Sequence, residues 1–240
     1  MRRRRMNTNK LMGILFFSLL IVFGICFFLK SDYFNLKEIV IRNNDHLSKG
    51  EVEKLVSINL NRNIFTYDLK EAKEKVKSSS YIKDCNIKRE IPNKIIVTLE
   101  EKKIIGPIFN GKNYCLIDDK GNFIDEIKNG DEENLIINLE YTLKKNKINF
   151  NNKEDKEILL ELVKRLEEEN ILTRISQIDM NEKKTVNMKT AKGLEICIGK
   201  NEELDKNINN LREVLVDLQN RKQYTGKIDM TYNDYVLYKP

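Results

Sequence analysis

Residues 38–56 read EIVIRNNDHLSKGEVEKLV, and residues 81–102 read YIKDCNIKREIPNKIIVTLEEK. In the first stretch Ile39 and Ile41 alternate with Glu38, Val40 and Arg42, the period of a strand with one face inward. Asn43-Asn44-Asp45 is turn chemistry. Ser48 stands three residues before Glu51, the spacing of a capping box, and Val52, Leu55 and Val56 then form a helical stripe. Asn61-Arg62-Asn63 breaks that helix, and Ile64 with Phe65 is expected as a buried hinge. Asp68 caps a second helix whose inner face carries Leu69, Ala72 and Val76. The second stretch is a hairpin. Tyr81, Cys85 and Ile87 share one face of its first strand, with Lys83 and Arg89 on the same parity. Pro92-Asn93 makes the turn. Ile95, Val97 and Leu99 then oppose Ile96, Thr98 and Glu100. Strand, helix, helix, strand, strand in about 70 residues can bury two helices on one face of a small sheet.

Downstream, Tyr114 to Ile117 is a short apolar strand, Asp118-Asp119-Lys120-Gly121 a turn, and Phe123 to Ile127 the returning strand. Asn129-Gly130-Asp131 is a further turn, and Leu135 to Ile137 a further strand. Residues 144 to 153 are rich in Lys and Asn and read as a surface loop. Ile158, Leu159, Leu162, Val163 and Leu166 recur at helical spacing. Three strands follow, at Ile175 to Met180, Thr185 to Lys189 and Leu194 to Ile198. A second long helix carries Leu204, Ile208, Leu211, Leu215 and Leu218. Its heptad-like spacing lasts only two heptads, which fits a helix packed on a sheet better than a coiled coil. Lys227 to Met230 and Tyr235 to Tyr238 are strands around Tyr232-Asn233-Asp234.

Upstream, Leu11 to Leu29 runs for 19 residues without a charge. At about 1.5 Å per residue that run matches a hydrocarbon core of roughly 30 Å. A cleaved signal peptide would have a shorter apolar region and small residues at a cleavage site. Phe27, Phe28, Leu29, Lys30 and Ser31 offer no such site, so an uncleaved anchor is expected. Arg2, Arg3, Arg4, Arg5 and Lys10 supply five of the six net positive charges. By the positive-inside tendency they hold the N-terminus in the cytoplasm and place the rest of the chain outside.

The remainder is close to neutral, with no electrostatic footprint for nucleic acid. Of four cysteines, Cys26 lies in the apolar run. Cys85, Cys115 and Cys197 are too widely spaced for a disulfide framework or a zinc site, and read as small buried apolar residues. One disulfide with one free thiol is the other reading. His46, the only histidine, sits in a turn. No G-x-S-x-G, H-E-x-x-H or Gly-rich phosphate loop is present. Asp118-Asp119 is explained by a turn. Glu100 and Glu101 are neighbours on a strand and point to opposite faces. The sequence therefore calls for no enzyme, metal, cofactor or small-molecule substrate.

The ordered series of elements resembles the FtsQ/DivIB family of bacterial cell-division proteins. The likeness runs from Ile39-Val40-Ile41-Arg42-Asn43-Asn44 through Leu47-Ser48, Asn63-Ile64-Phe65 and Asp68. It continues through Arg89-Glu90-Ile91-Pro92, Ile95-Ile96-Val97 and Glu100-Glu101-Lys102. Leu116-Ile117-Asp118 with Gly121 follows, then Leu194 to Gly199 with Lys206, and Ile228-Asp229-Met230 with Tyr232. Two departures stand out. Lys102-Lys103-Ile104 lies where the family often has a proline after its Glu-Arg pair, and Thr231 lies where an arginine is common. The resemblance implies an α+β chain: cytoplasmic tail 1–10, transmembrane helix 11–29, a POTRA module (β-α-α-β-β) over 34–102, and a mostly antiparallel β domain with two packed helices over 103–240. It also implies a non-enzymatic scaffold of the septum whose partners are FtsB/DivIC-like and FtsL-like proteins, besides the lipid bilayer.

The terminal segment is the expected partner site. Tyr235, Val236, Leu237 and Tyr238 are all apolar or aromatic. Such a strand at a sheet edge invites a partner strand, with Tyr232 and Asn233 beside it. The alternative is that the same side chains close the domain's own core. The hairpin edge of the POTRA module is a second candidate docking surface.

Overall fold

The computed structural model describes residues 8–129, 135–200, 204–232 and 235–240. Arg2 to Arg5, and the Gly130-Asp131 half of an expected turn, lie outside them. The chain divides into two compact units, Met1–Glu101 and Lys102–Pro240.

The first unit opens with α1, Thr8–Leu29. Within it, Lys10–Leu29 is apolar and long enough to cross a membrane, and none of its residues is buried in the protein. Strand β1 (Glu38–Arg42), helices α2 (Lys49–Val56) and α3 (Leu69–Lys77), and strands β2 (Ile82–Glu90) and β3 (Lys94–Glu101) follow. The sheet order is β1-β3-β2, with β1 parallel to β3 and β2 antiparallel to it. Both helix starts are fixed by their caps. Ser48 and Glu51 form the reciprocal capping box, and the Asp68 carboxylate accepts from the Lys70 and Glu71 amides. Val52, Val56, Ala72 and Val76 meet Ile95, Val97 and Leu99 in one core.

Two expectations here need correction. Tyr81 packs half-buried against the core with Cys85 and Ile87 as expected, but Ile82 is buried there too, because a register shift between Ile82 and Asp84 puts Ile82 and Cys85, three apart, on the same face. Phe65 is not part of a buried hinge: Ile64 fills the core while the Phe65 ring stays exposed.

The second unit contains β4 (Ile104–Phe109), β5 (Tyr114–Asp118), β6 (Phe123–Ile127), β7 (Ile136–Asn138), β8 (Tyr141–Lys144), β9 (Lys147–Phe150), α4 (Lys153–Glu168), β10 (Ile175–Asp179), β11 (Thr185–Thr190), β12 (Leu194–Gly199), α5 (Leu204–Asn220), β13 (Gly226–Met230) and β14 (Leu237–Lys239). Among the described residues nine strands form one sheet in the order β14-β13-β12-β11-β10-β7-β4-β5-β6. Most neighbours are antiparallel, while β12–β13, β10–β7 and β4–β7 are parallel. Leu159, Leu162 and Leu166 of α4 and Ile208, Leu211 and Leu215 of α5 pack on Ile178, Val186, Ile196 and Ile228. The opposite side of these strands is polar, a row running Asp179, Asn187, Cys197, Asp229 and Leu237 from strand to strand.

The expected turn at 118–121 is present, and its buried carboxylate explains it. Asp118 accepts from the Lys120 and Asn122 amides and from the Asn122 side chain. The expected loop at 144–153 is instead the β8–β9 hairpin followed by the start of α4. Lys145 and Asn146 both take positive φ, the backbone of a two-residue hairpin turn, without a glycine to announce it. Cys85, Cys115 and Cys197 are buried free thiols.

Candidate functional site

The candidate site is built by the end of β13 and by β14. Ile228 and Met230 point into the core, which leaves Lys227 and Asp229 on the polar face. Asp229 is the last residue but one of the strand. Its carboxylate accepts from the Thr231 amide at 3.1 Å and from the Thr231 hydroxyl at 2.7 Å. The hydroxyl bond is the main reason its carboxyl is held below the usual range. Thr231 thus closes a side-chain turn just past the end of the strand.

Tyr232 and Tyr235 lie on the surface with their rings stacked, centroids 4.7 Å apart and 14° from parallel. Together with Lys206 and Asn210 of α5, and with Met230 and Val236, they line a groove of about 350 Å³. Val236 and Tyr238 turn inward against the core, and the Tyr238 hydroxyl donates to the Thr225 carbonyl at 2.9 Å. Leu237 pairs with Asp229 on the polar side.

The expected strand Tyr235 to Tyr238 is therefore corrected: the ladder begins at Leu237 and includes Lys239. Its reach is limited because Tyr235 stacks on Tyr232 instead of continuing the strand. Of the expected site residues, Tyr232, Tyr235 and Leu237 face outward, and Val236 and Tyr238 close the core. Asn233 lies outside the described residues.

Strand β14 is held against β13 by a close backbone approach that sequence reading missed. Gly226 has φ +109°, and a Cβ there would fall 2.4 Å from the Lys239 carbonyl oxygen. Only glycine tolerates both the conformation and the contact. A glycine opening an apolar strand is the signal that marks such a position. Strand β14 is the outermost strand of the sheet, so its far edge is not paired by another strand of the described chain.

Residues 34–102 match the family described as POTRA domain, FtsQ-type, and residues 108–231 match the C-terminal family of cell division protein FtsQ/DivIB. The chain belongs to the FtsQ/DivIB family. It is 25% identical over 229 residues to the cell division protein DivIB of Clostridium tetani, covering 92% of this chain and 83% of that one. The DivIB of Clostridium botulinum strain Loch Maree is 24% identical over 242 residues, covering 96% and 91%. A solved structure of the major extracytoplasmic domain of DivIB from Geobacillus stearothermophilus aligns with 50% of this chain and 97% of its own, at 12% identity and a TM-score of 0.33. The family gives the chain a role in cell division, and the second match covers the candidate site as far as Thr231.

The other chemistry-bearing residues do not converge. The His46 and Leu47 amides donate to the Glu101 carboxylate, which makes that pair a loop clasp. Glu100 pairs with Lys83 on the surface. Among the described residues, no three His, Cys, Asp or Glu side chains are grouped to hold a metal.

Proposed function

We propose that this protein is a non-enzymatic, single-pass membrane scaffold of the division septum. Its second unit captures an FtsB/DivIC-like protein, together with an FtsL-like one, by strand addition along β14. The observation that carries this reading is the position of β14: it is the outermost strand, with stacked Tyr232 and Tyr235 and the groove beside α5 at its end. An added strand gains main-chain hydrogen bonds from such an edge, and the aromatic pair supplies rigid anchors of the kind that dominate binding energy. The helix Lys10–Leu29 anchors the scaffold, with the basic residues Arg2 to Arg5 and Lys10 on the cytoplasmic side. Anchoring confines the partners to a surface, where weak contacts act at high effective concentration. The outer strand β2 of the POTRA module offers a second edge.

A fluorescent fusion to the N-terminus, imaged in growing cells with and without depletion of the protein, tests this role. A midcell band and failed septation on depletion are expected. Uniform membrane signal with normal division would overturn it.

A further inference from the structure

The first unit sorts its exposed apolar surface to one end. Among the described residues between 30 and 101, the exposed large apolar side chains are Tyr33 (59%), Leu60 (49%), Phe65 (41%) and Ile91 (61%). All four lie at the end where α1 enters. The Asn63 side chain donates to the Leu29 carbonyl, the last residue of α1, at 2.7 Å. The Phe28 ring meets those of Tyr33 and Phe34, and Phe34 in turn meets Phe65, with centroids 5.2 to 6.1 Å apart. Leu60 precedes Asn61, whose amide donates to the Leu36 carbonyl. Ile91 sits in the β2–β3 turn, tied to the same end by the bond from the Lys37 amide to the Asn93 carbonyl.

We propose that this end of the POTRA module is seated in the bilayer interface beside α1. The inference rests on the reading of α1 as a membrane span. If Lys10–Leu29 fills the hydrocarbon, at about 1.5 Å per residue, Leu29 lies at its boundary. Every group within a few ångströms of Leu29 then lies among headgroups. Exposed aromatic and branched side chains are favoured at that depth, and Lys30 follows Leu29 directly, a cation at the same level as the lipid phosphates. The lipid surface, rather than another protein, is the occupant because the apolar patch is continuous with the apolar helix through Phe28, Phe34 and Phe65. The module is thereby held by two elements, the span and its own apolar end, instead of swinging on a linker.

The chain has no tryptophan, so a single introduced one reports its own surroundings. The full chain is reconstituted in vesicles of phosphatidylcholine and phosphatidylglycerol whose acyl chains are brominated near the headgroup. Separate variants carry Phe65→Trp, Ile91→Trp, Leu60→Trp, the span control Phe17→Trp and the far-end control His46→Trp. The far-end control lies near Glu101, about 23 Å along β3 from the apolar end. Blue-shifted emission quenched by the brominated lipid is expected for Phe65→Trp, Ile91→Trp and Leu60→Trp, and water-like unquenched emission for His46→Trp. If Phe17→Trp is blue-shifted but the three interface variants behave like His46→Trp, the seating is wrong and the span stands. If Phe17→Trp itself shows water-like emission, the span reading fails and the seating fails with it.

Discussion

Gly226 lies beneath the carbonyl oxygen of Lys239, so close that a methyl group at 226 would sit 2.4 Å from it. The contact joins the first residue of β13 to the last of β14. Gly226→Ala must shift the terminal strand and hold alanine at φ +109°. We expect a loss of about 1–3 kcal/mol in urea unfolding, with faster hydrogen exchange at whichever of the Leu237 and Tyr238 amides is bonded to β13. Unchanged exchange at those two amides would show that β14 does not depend on this approach.

Lys200 ties the first turn of α4 to the sheet. Its side chain is only 5% exposed, and it donates to Asp155 at 2.7 Å and to the Met180 carbonyl at 2.6 Å. Lys200→Met leaves the partly buried Asp155 carboxylate without this partner and should cost about 2–4 kcal/mol, below the fully buried case because Asp155 reaches some water. Pairing it with Asp155→Leu should recover part of the loss. A double variant no better than the single one would contradict the coupling.

Cys115 should be inert in the folded chain. Burial pushes its thiol up to about 11, with a bond to Tyr141 offsetting part of that rise. At pH 8 roughly a thousandth of it is thiolate, so modification should wait for unfolding. Mass-resolved maleimide labelling with and without urea checks this. Rapid labelling in plain buffer would mean that the β4–β5–β6 region opens readily.

Acid should release Asp84. Its carboxyl is held at about 2, first by the hydrogen bond from Lys73, then by the Cys85 amide, with Lys77 contributing less. A carboxyl depressed in the folded state stabilises fully above its ordinary value near 3.8, and that stabilisation disappears as pH falls from there toward about 2. Asp84→Asn should flatten the acid limb of stability within that window by lowering stability at neutral pH to the level the unaltered protein reaches once Asp84 is protonated. An identical acid limb in both proteins would assign the sensitivity to other groups.

Much of the fold was legible because local chemistry and hydrophobic period agreed. Ser48 with Glu51 marked the start of α2, Asp68 marked α3, and the stripe Leu204 to Leu218 marked α5, with each stripe buried as its spacing requires. Sequence failed where one residue breaks a period or where a turn lacks its usual glycine. The shift between Ile82 and Asp84 added Ile82 to the core beside Tyr81, which strict alternation does not allow. Lys145 and Asn146 hid a hairpin by taking positive φ as ordinary polar residues. The parallel neighbours of β7 depend on strands far away in the chain, which no local pattern encodes. At the candidate site, apolar composition identified the segment but not which side chains face out. That sorting follows from pairing: Tyr238 lies opposite Ile228, and Leu237 lies opposite Asp229.

Strand addition at β14 is tested most directly by hydrogen exchange of residues 235–240 in the presence of the extracytoplasmic segment of the FtsB/DivIC-like protein from the same organism. We expect the amides of β14 to slow markedly on mixing, and Tyr235→Ala to weaken the complex without changing the fold. A complex that forms with β14 exchanging as in the free chain, and with protection confined to other surfaces, would contradict the account.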